Sequence, residues 1–505
     1  MAKAATPSIF VSLAAANLAA MEAQASRVSG SPVGYELRLD YLREFSNLES
    51  HLHQFLLGLH YPQTIATCRR TEAGGQFEGE VNQQVALLQA AVRAGCQWVD
   101  LDVESVDCAG TNVLRQFQPA KIIVSYHNYR KTPPLGPIYR RLARLPVQAV
   151  KIATYGRLLR DNLKIFRLLK AHRGRSPKLV AMAMGPAGIP SRLLALRWGC
   201  PFTYASPGNH SSAAAGQLPS DIMRAVYRIE HLDRWTQLYG VVGSHASLSL
   251  SPAMQNAAFQ AKHVKALYMP CETSRLADFM AFARQMGFRG FSVTMPFKRG
   301  VMRYLDWIDP LARRIGAVNT VAVQNGKRRG WNTDAAAVVE VLTKRLRLRG
   351  SRILILGAGG AARAAAYALR SEGAEVVIAA IPQDEEVARR LARGVSARAI
   401  PWAAAEGLEV DTVINATPVG MPPQVEAMPI DLARLRTRVV FDMVYYPLET
   451  RFLAEARGRG LTTISGLEML VAQGARQFEI WTGLAAPRAL MEQAVQQALG
   501  HSSAT

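Results

Sequence analysis

Short apolar runs rich in β-branched residues recur along the first 210 residues and alternate with longer amphipathic stretches. Eight such runs begin about 23–35 residues apart, at 9–13, 34–40, 63–69, 98–103, 121–127, 149–154, 178–184 and 202–206. The stretches between them, for example 83–94 and 155–171, are helix-like. Strands that alternate with helices in this way are typical of a closed parallel barrel. The pattern predicts an α/β protein whose residues 1–230 form a (β/α)₈ TIM barrel.

A second unit with a different organisation begins near residue 238. The apolar run 352–356 is followed by a glycine-rich turn at 357–362 and then by a helix-like stretch, which is the context of dinucleotide binding. Further strand-like runs lie at 375–380, 411–416 and 439–443. We expect a Rossmann cofactor domain over 341–462 and a substrate-binding domain formed by 238–340 and 463–500. The linker between the two halves, 219–239, is predicted to be helical.

The charge of the chain narrows its range of partners. The formal net charge is +22, but the basic residues are scattered along the sequence and no nucleic-acid-binding motif accompanies them. We therefore expect small anionic substrates rather than nucleic acid. No apolar run reaches the roughly 18 residues of a membrane span, so no membrane partner is expected. The oligomeric state stays open.

The cysteines bear on metal binding and on location. There are five of them, an odd number, and none forms a C-x-x-C pair, which argues against a zinc site or a disulfide framework. We expect no metal site and a reducing, cytoplasmic location.

Ionisable residues stand inside the predicted barrel strands. Glu36, Arg38 and Asp40 alternate along the second run and would share one face of a strand. In a barrel such charges must be paired, because an unpaired buried charge is strongly unfavourable. Other runs also carry charged or titratable residues, namely Arg69, Asp100, Asp102, His127 and Lys151. This lining favours an active site over the alternative of a purely structural ion network.

Two of these residues suit a particular chemistry. Lys151 lies in the otherwise apolar run A-V-K-I-A-T, and a desolvated lysine is a nucleophilic amine that forms an imine with a ketone. His127 ends the preceding run, so both side chains would reach the same substrate from adjacent strands. Histidine suits the removal and return of protons near neutral pH. We predict Lys151 and His127 as catalytic residues.

Five segments give the barrel half a specific resemblance: E-L-R-L-D at 36–40, T-C-R-R-T-E-A-G-G at 67–75, S-Y-H-N-Y at 125–129, V-K-I-A-T at 150–154 and S-R at 191–192. Over about residues 8–228 the chain resembles type I 3-dehydroquinate dehydratases. The resemblance implies that 3-dehydroquinate forms a Schiff base with Lys151 and that His127 moves protons in the loss of water, which gives 3-dehydroshikimate. It also implies that Glu36, Arg38 and Arg69 bind the ring hydroxyls of the substrate and that Arg192 binds its carboxylate. Gln217 matches the glutamine of the family's S-A-P-G-Q loop after strand eight, which implies a further substrate-binding role.

The chain departs from that family at two positions. Ala73 stands where the family has a glutamate directly before the Gly-Gly pair, although Glu72 precedes it. Ala213 stands where the family has the serine of its S-A-P-G-Q loop, and the loop 207–215 is unusual. Local remodelling of the dehydratase site is expected.

Lys298 and Asp334 are the catalytic candidates of the second half. Lys298 lies in S-V-T-M-P-F-K and Asp334 in W-N-T-D, both among apolar or small residues. A partly buried lysine–aspartate pair is suited to giving a proton to a developing alkoxide while the site stays charge-balanced. The reduction of a carbonyl by hydride needs such a proton.

Seven ordered segments give this half its own resemblance: S-L-S-L-S-P at 247–252, S-V-T-M-P-F-K at 292–298, G-A-V-N-T at 316–320, N-T-D at 332–334, G-A-G-G-A-A at 357–362, N-A-T-P-V-G-M at 415–421 and G-L-E-M-L-V-A-Q at 466–473. Residues 238–497 resemble shikimate dehydrogenases. The resemblance implies catalysis by Lys298 and Asp334, and substrate binding by Ser249, Ser251, Thr294, Asn319, Tyr445 and Gln473. Cofactor binding is expected from Gly357, Ala358, Gly359, Gly360, Ala361, Asn415, Thr417, Met443 and Gly466.

The expected cofactor is NADP, and NAD stays open. The N-R-T motif of the family is absent, and Ala380, Ile381 and Pro382 stand in its place. Arg363 and Arg389 are candidates for binding the 2′-phosphate of NADP.

The product expected from the first half is the substrate expected for the second, since dehydroshikimate reduction gives shikimate. The two resemblances together predict a bifunctional enzyme of the shikimate pathway. Two alternatives stay open: an NAD-dependent quinate or shikimate dehydrogenase that works catabolically, and a non-catalytic regulator that binds these metabolites.

Overall fold

The first sheet of the protein is a barrel. The structure, a computed structural model, describes residues 7–28, 33–59, 63–208 and 213–503. The eight parallel strands are β1 (Ile9–Leu13), β2 (Gly34–Arg38), β3 (Thr64–Thr67), β4 (Trp98–Asp102), β5 (Lys121–Asn128), β6 (Ala149–Tyr155), β7 (Lys178–Met184) and β8 (Thr203–Ala205). Strand β8 pairs with β1, so the last strand of the series is the neighbour of the first. The predicted (β/α)₈ barrel is confirmed.

Helices follow the strands around the barrel. They are α1 (Leu18–Ser26), α2 (Leu48–Gly58), α3 (Val81–Ala94), α4 (Val103–Ala109), α5 (Leu135–Leu142), α6 (Asp161–His172), α7 (Ile189–Leu194) and α8 (Ser220–Ala225). Helix α3 starts earlier than its pattern predicted, because Glu80 and Gln83 form a capping box at its N-terminus. The linker is helical only in α8 and in a 3₁₀ turn, Ile229–His231, so the prediction of a helix throughout 219–239 is wrong.

The second sheet is mixed. Its strands are β9 (Gln237–Gly243), β10 (Ala266–Glu272), β11 (Phe288–Val293), β12 (Trp307–Ile308), β13 (Thr320–Gln324) and β14 (Lys327–Trp331), in the order β10-β9-β11-β13-β14-β12. The helices of this segment are α9 (Ser251–Ala261), α10 (Leu276–Met286), α11 (Pro310–Ile315) and α12 (Thr333–Thr343).

The third sheet has the doubly wound arrangement expected for a cofactor domain. Its parallel strands are β15 (Arg352–Leu356), β16 (Glu375–Ala380), β17 (Arg398–Pro401), β18 (Thr412–Asn415), β19 (Val439–Asp442) and β20 (Thr462–Ile464), in the order β17-β16-β15-β18-β19-β20. Helices α13 (Gly360–Ser371), α14 (Glu385–Val395) and α15 (Arg451–Gly458) follow its strands. The chain then returns through α16 (Gly466–Thr482) and α17 (Arg488–Ser503), which pack on α12 and α9.

The barrel and the second sheet share one core. A continuous cluster of buried apolar side chains runs from the barrel helices to residues of α10 and β11. Strand β10, at the edge of the second sheet, lies against the barrel helix α7. Within the described ranges, no helix is long and apolar enough to cross a membrane, and no group of three or more His, Cys, Asp and Glu residues is placed to hold a metal ion.

Candidate active sites

One small cavity in the barrel collects all the residues predicted for its active site. Its volume is about 40 Å³. The predicted residues that line it come from several strands and from the segments that follow them, namely Glu36, Arg38, Arg69, His127, Lys151, Arg192 and Gln217. In (β/α)₈ barrels the active site is built at the carboxyl ends of the strands in this way.

Lys151 is at the centre of this cavity, on β6, and only 5% of its surface is exposed. Its Nζ donates to Asp100 Oδ2 at 2.8 Å and to Glu36 Oε1 at 3.2 Å. It also lies 4.1 Å from the centroid of the Tyr204 ring. The structure adds two carboxylates to the burial expected from the sequence, and both accept hydrogen bonds from the Lys151 ammonium. Lys151 must therefore pass a proton on before it attacks a carbonyl carbon.

The carboxylates near Lys151 differ from Asp102 in their charge state. Burial raises the pKa of Glu36 and of Asp100, but Lys151 and a neighbouring arginine outweigh it and bring both pKa values below the ordinary range. Asp102 behaves differently, since burial raises its pKa to about 6 even though Arg69 opposes the shift. Glu36 and Asp100 are thus ionised at neutral pH.

His127 is a neutral imidazole in this setting. Its Nδ1 lies 2.8 Å from Arg69 Nη1 and must accept, because a guanidinium can only donate. Burial, followed by the charges of Arg69 and Lys151, places the pKa of His127 well below its ordinary value of 6.5. The ring of Tyr129 stacks beside it, with centroids 6.0 Å apart. His127 can therefore take up a proton during a reaction.

Arg192 is a buried cation that has no carboxylate partner among the described residues. It is 1% exposed, and its Nε has no hydrogen-bond partner. Its other nitrogens make only long contacts, 3.5 Å each, to Met182 Sδ and to the carbonyl oxygen of Ala215. Burial lowers its pKa to about 10, which still leaves it charged at neutral pH. A buried, unsatisfied guanidinium that lines the cavity is suited to binding a substrate carboxylate.

The two departures from the family pattern have different consequences. The carboxylate of Glu72 is 66% exposed and pairs with Arg70, so it does not take the place of a glutamate at buried Ala73. Ala213 donates through its backbone N–H to Gln217 Oε1 at 3.0 Å, which holds Gln217 in the cavity wall. The adjacent residues 209–212 of the loop lie outside the described residues.

Two residues of this site, Ser12 and Tyr204, were not predicted from the sequence. Ser12 on β1 donates to Glu36 Oε2 at 2.6 Å and accepts from Gln217 Nε2 at 3.1 Å, so it links two predicted residues. Tyr204 lies under Lys151. The available signal for Ser12 was a single hydroxyl in the apolar run 9–13, which alone does not distinguish an inward-facing from an outward-facing position.

In the second half, Lys298 and Asp334 form the predicted pair, with Nζ 2.6 Å from Oδ2. Asn319 Nδ2 donates to Asp334 Oδ1 at 2.8 Å and so fixes the carboxylate. The backbone N–H of Val318 donates to the Lys298 carbonyl oxygen at 2.8 Å, which brings the Lys298 segment beside Asn319. Asn332 caps the helix that starts at Thr333, and thereby orients Asp334 in its first turn.

The other residues predicted for the second substrate site lie on the surrounding segments. Ser251 begins α9, and its backbone N–H donates to Ser249 Oγ at 3.2 Å. Gln255 of α9 donates to the carbonyl oxygen of Gly474, which follows Gln473 on α16. Thr294 follows β11, and half-buried Tyr445 follows β19. Their convergence on one ligand stays a prediction.

The residues predicted for cofactor binding meet at the carboxyl ends of the central strands of the third sheet. Gly357 has φ +103, and a Cβ there would lie 3.0 Å from Thr417 Cγ2, so glycine is required. Asn415 accepts from the Thr417 hydroxyl at 2.6 Å and, through its backbone carbonyl, from the Met443 N–H at 3.0 Å. A Cβ at Gly466 would lie 2.7 Å from the Met443 carbonyl oxygen.

This arrangement fits a dinucleotide. Helix α13 begins directly after Gly359, which provides no side-chain cap, so its first N–H groups face the turn formed by Gly357, Ala358, Gly359, Gly360 and Ala361. A Cβ at Gly359 or Gly360 would meet nothing within 4 Å, which leaves open space above the turn. Free N–H groups at a helix N-terminus, beside open space, suit a pyrophosphate.

The two arginines considered for a 2′-phosphate are engaged elsewhere. Arg363 donates to the carbonyl oxygen of Ile315 and stacks on Tyr367. Arg389 pairs with Glu385, with Nη2 2.6 Å from Oε2.

Fold and sites together define a bifunctional α/β enzyme of carbonyl chemistry, with a lysine-centred barrel joined to a dehydrogenase unit. Family models match both halves: type I 3-dehydroquinase over residues 9–234, the shikimate dehydrogenase substrate binding domain over 241–321, and the shikimate 5′-dehydrogenase C-terminal domain over 466–496.

Individual relatives agree with this division. The bifunctional 3-dehydroquinate dehydratase/shikimate dehydrogenase of Arabidopsis thaliana, which is chloroplastic, is 32% identical over 480 residues, 90% of this chain and 78% of that protein. The shikimate dehydrogenase (NADP(+)) of Methanosarcina mazei is 42% identical over 52% of this chain and 99% of its own length. That of Moorella thermoacetica is 40% identical over 53% and 95%. The chain belongs to the family of bifunctional 3-dehydroquinate dehydratase/shikimate dehydrogenases.

Proposed function

We propose that the protein converts 3-dehydroquinate to 3-dehydroshikimate in its barrel and reduces 3-dehydroshikimate to shikimate, with NADPH, in its second half. The observation that carries the proposal is Lys151, which is held between two carboxylates in the same cavity as His127 and Arg192. The non-catalytic alternative is disfavoured because the residues predicted to be catalytic are present and are placed in contact with suitable partners.

The dehydration begins at Lys151. Asp100 or Glu36 accepts a proton from the ammonium, and the free amine attacks the ketone carbon of the substrate. Loss of the carbonyl oxygen as water gives an imine, which withdraws electrons from the neighbouring carbon. Arg192 is the binding group for the substrate carboxylate.

His127 then removes the proton from that neighbouring carbon. Proton uptake at its Nδ1 requires Arg69 to turn from the imidazole towards the ring hydroxyls of the substrate. The hydroxyl on the next carbon leaves as water, with the proton returned by His127. Hydrolysis of the imine releases the ketone product and restores the amine of Lys151.

The reduction takes place around the Lys298–Asp334 pair. A nicotinamide dinucleotide held at the glycine turn before α13 would supply the hydride for the carbonyl carbon. Lys298, held by Asp334, gives a proton to the carbonyl oxygen, and Asn319 keeps Asp334 in position. The glycine turn that begins at Gly357 is the proposed pyrophosphate site.

We assign these activities to three proposed domains: the barrel of residues 1–230, the substrate domain of 238–340 with 463–500, and the cofactor domain of 341–462. A reducing, cytoplasmic location is proposed because all five cysteines are unpaired and four of them are buried. The proposed partners are small molecules only.

A coupled assay tests the proposal. Purified protein is mixed with 3-dehydroquinate and NADPH, with NADH in a parallel sample, and cofactor oxidation is followed. Oxidation is expected, because the first substrate must become dehydroshikimate before it can accept a hydride. If only quinate with oxidised NAD reacts, the result would instead support the catabolic alternative, which rests on the absence of the N-R-T motif. No reaction with any pair of substrate and cofactor would overturn the bifunctional proposal.

A further inference from the structure

The dehydrogenase half places a buried carboxylate on the active-site face of the barrel. Asp278 belongs to α10, is 2% exposed, and accepts from the backbone N–H of Leu159 at 2.7 Å. It also pairs with Arg160, whose Nε lies 2.8 Å from Oδ1. These barrel residues stand in the loop between β6, which carries Lys151, and α6. Asp278 thus fixes a loop of the barrel from outside the barrel.

The fixed loop connects onward to the segment of Arg192. Asn162 Nδ2 donates to the carbonyl oxygens of Leu159, at 2.8 Å, and of Ala187, at 2.7 Å. Asn162 Oδ1 accepts from the backbone N–H of Ser191 at 3.0 Å, and Ser191 directly precedes Arg192. Asn162 and Ser191 are fully buried, so water does not replace these bonds.

The position of Arg192 depends on the hydrogen bonds that hold its backbone segment. Among the described residues its guanidinium makes only the two 3.5 Å contacts, to Met182 Sδ and to the Ala215 carbonyl oxygen, and its Nε is unpaired, so no short hydrogen bond sets its position. The backbone of α7 sets it instead, and α7 lies against β10 of the dehydrogenase half. The hydrogen-bonded series from Asp278 through Leu159, Asn162 and Ser191 is continuous across the junction of the two halves.

We infer that Asp278 is a positioning residue of the dehydratase: through Asn162 and Ser191 it holds Arg192 where the carboxylate of the barrel's substrate binds. The inference rests on the proposed function of the barrel. It follows that the dehydrogenase half contributes to substrate affinity in the dehydratase without touching the substrate.

The test compares Asp278→Asn with Gln285→Ala in the full chain. Gln285 lies on the same helix and accepts from Arg167 of the barrel at 2.9 Å, but it has no link to Ser191, so it is the matched control. Asp278→Asn should raise the KM for 3-dehydroquinate by about 2- to 30-fold with little change in kcat. A lost binding group for the substrate, rather than for the transition state, has this signature. Dehydroshikimate reduction in the same variant should equal that of the control, which shows that the chain is folded.

An Arg192→Ala background separates positioning from general stability. There Asp278→Asn should add no further increase in KM, because the group that it positions is gone. A KM shift no larger than that of Gln285→Ala, or a full additional shift in the Arg192→Ala background, would overturn the inference. A wild-type chain without dehydratase activity would instead overturn the proposed function, and the positioning role with it.

Amide hydrogen exchange in the wild-type chain keeps the inference testable if the variant does not fold. The N–H groups of Leu159 and Ser191 should be protected to the same degree and exchange together. A Ser191 amide that exchanges much faster than that of Leu159 would break the proposed connection.

Discussion

Lys151 on β6 and Asp100 on β4 form an ion pair inside the barrel, with Nζ 2.8 Å from Oδ2. The pair makes Asp100 the nearest acceptor for the proton that Lys151 must lose. We expect Asp100→Asn to lower dehydratase kcat by about 10²–10⁴-fold, the effect of a lost acid–base group. The rate at which borohydride traps the lysine–substrate imine should fall in parallel. Exposed Asp107, which pairs with Arg141, offers the control Asp107→Asn. Trapping by Asp100→Asn at the wild-type rate would exclude Asp100 as the acceptor.

The dehydratase should stay active in mildly acid solution. The pKa of His127 is lowered well below 6.5 by burial and by Arg69, so the imidazole remains neutral at pH values where an ordinary histidine is charged. The acid limb of kcat/KM, measured from about pH 5 to pH 8, should therefore have its midpoint below 6.5. A midpoint at or above 6.5 would contradict the neutral imidazole.

The same shift affects folding stability, with a definite sign. Below pH 6.5 the unfolded chain binds a proton at His127 that the folded chain does not bind, so stability should fall as the pH falls from 6.5 towards the folded pKa. His127→Gln, which does not titrate, should show a weaker loss over this interval when unfolding is followed in urea. Identical pH dependence in both chains would contradict the shift.

The second site should fail independently of the first. Lys298→Ala removes the proton donor held by Asp334 and should lower dehydroshikimate reduction by about 10²–10⁴-fold. Dehydration of 3-dehydroquinate should be unchanged, since Lys298 has no part in the barrel cavity. Lys327→Ala, on the exposed part of β14, is the control. An equal loss of both activities in Lys298→Ala would argue against two separate sites.

Cofactor preference should respond to a positive charge after β16. Ile381 is 44% exposed directly after that strand, where it stands in place of the arginine of the N-R-T motif. We expect Ile381→Arg to raise the ratio of kcat/KM for NADPH over NADH by roughly 10- to 100-fold, the effect of one charged hydrogen bond. Leu484→Arg, at a residue 43% exposed, controls for added charge. If both variants change the ratio equally, the 2′-phosphate binds elsewhere.

Much of the barrel site could be predicted because its residues lie in strands. An alternating charge in an apolar strand must point either into the barrel or out of it, and the helices outside leave only the interior for the charges of Glu36 and Lys151. The same regularity predicted the glycine turn at Gly357 from its flanking strand and helix. In each case the position of the residue in its element limits where its side chain lies.

Contacts between distant segments could not be predicted in this way. Asp278 and Leu159 are separated by 119 positions, and neither lies in a motif. The sequence shows Asp278 only as an acidic residue in the first turn of a helix, where its expected role is to stabilise its own helix. Packing of α10 against the barrel instead turns its carboxylate to Leu159 and Arg160, in the loop between β6 and α6. Similarly, burial in a strand predicted a nucleophilic Lys151. Its ion pairs with Glu36 and Asp100, on other strands of the barrel, could not be predicted from the sequence.

The central claim is that one chain carries two independent sites that act in sequence, and a complementation assay tests it most directly. Lys151→Ala and Lys298→Ala are each supplied with 3-dehydroquinate and NADPH, alone and as a mixture. Each variant alone should leave NADPH unoxidised, and the mixture should oxidise it, because dehydroshikimate made by Lys298→Ala diffuses to Lys151→Ala. NADPH oxidation by Lys151→Ala alone would contradict the claim. A mixture of the two folded variants that does not oxidise NADPH would contradict it as well.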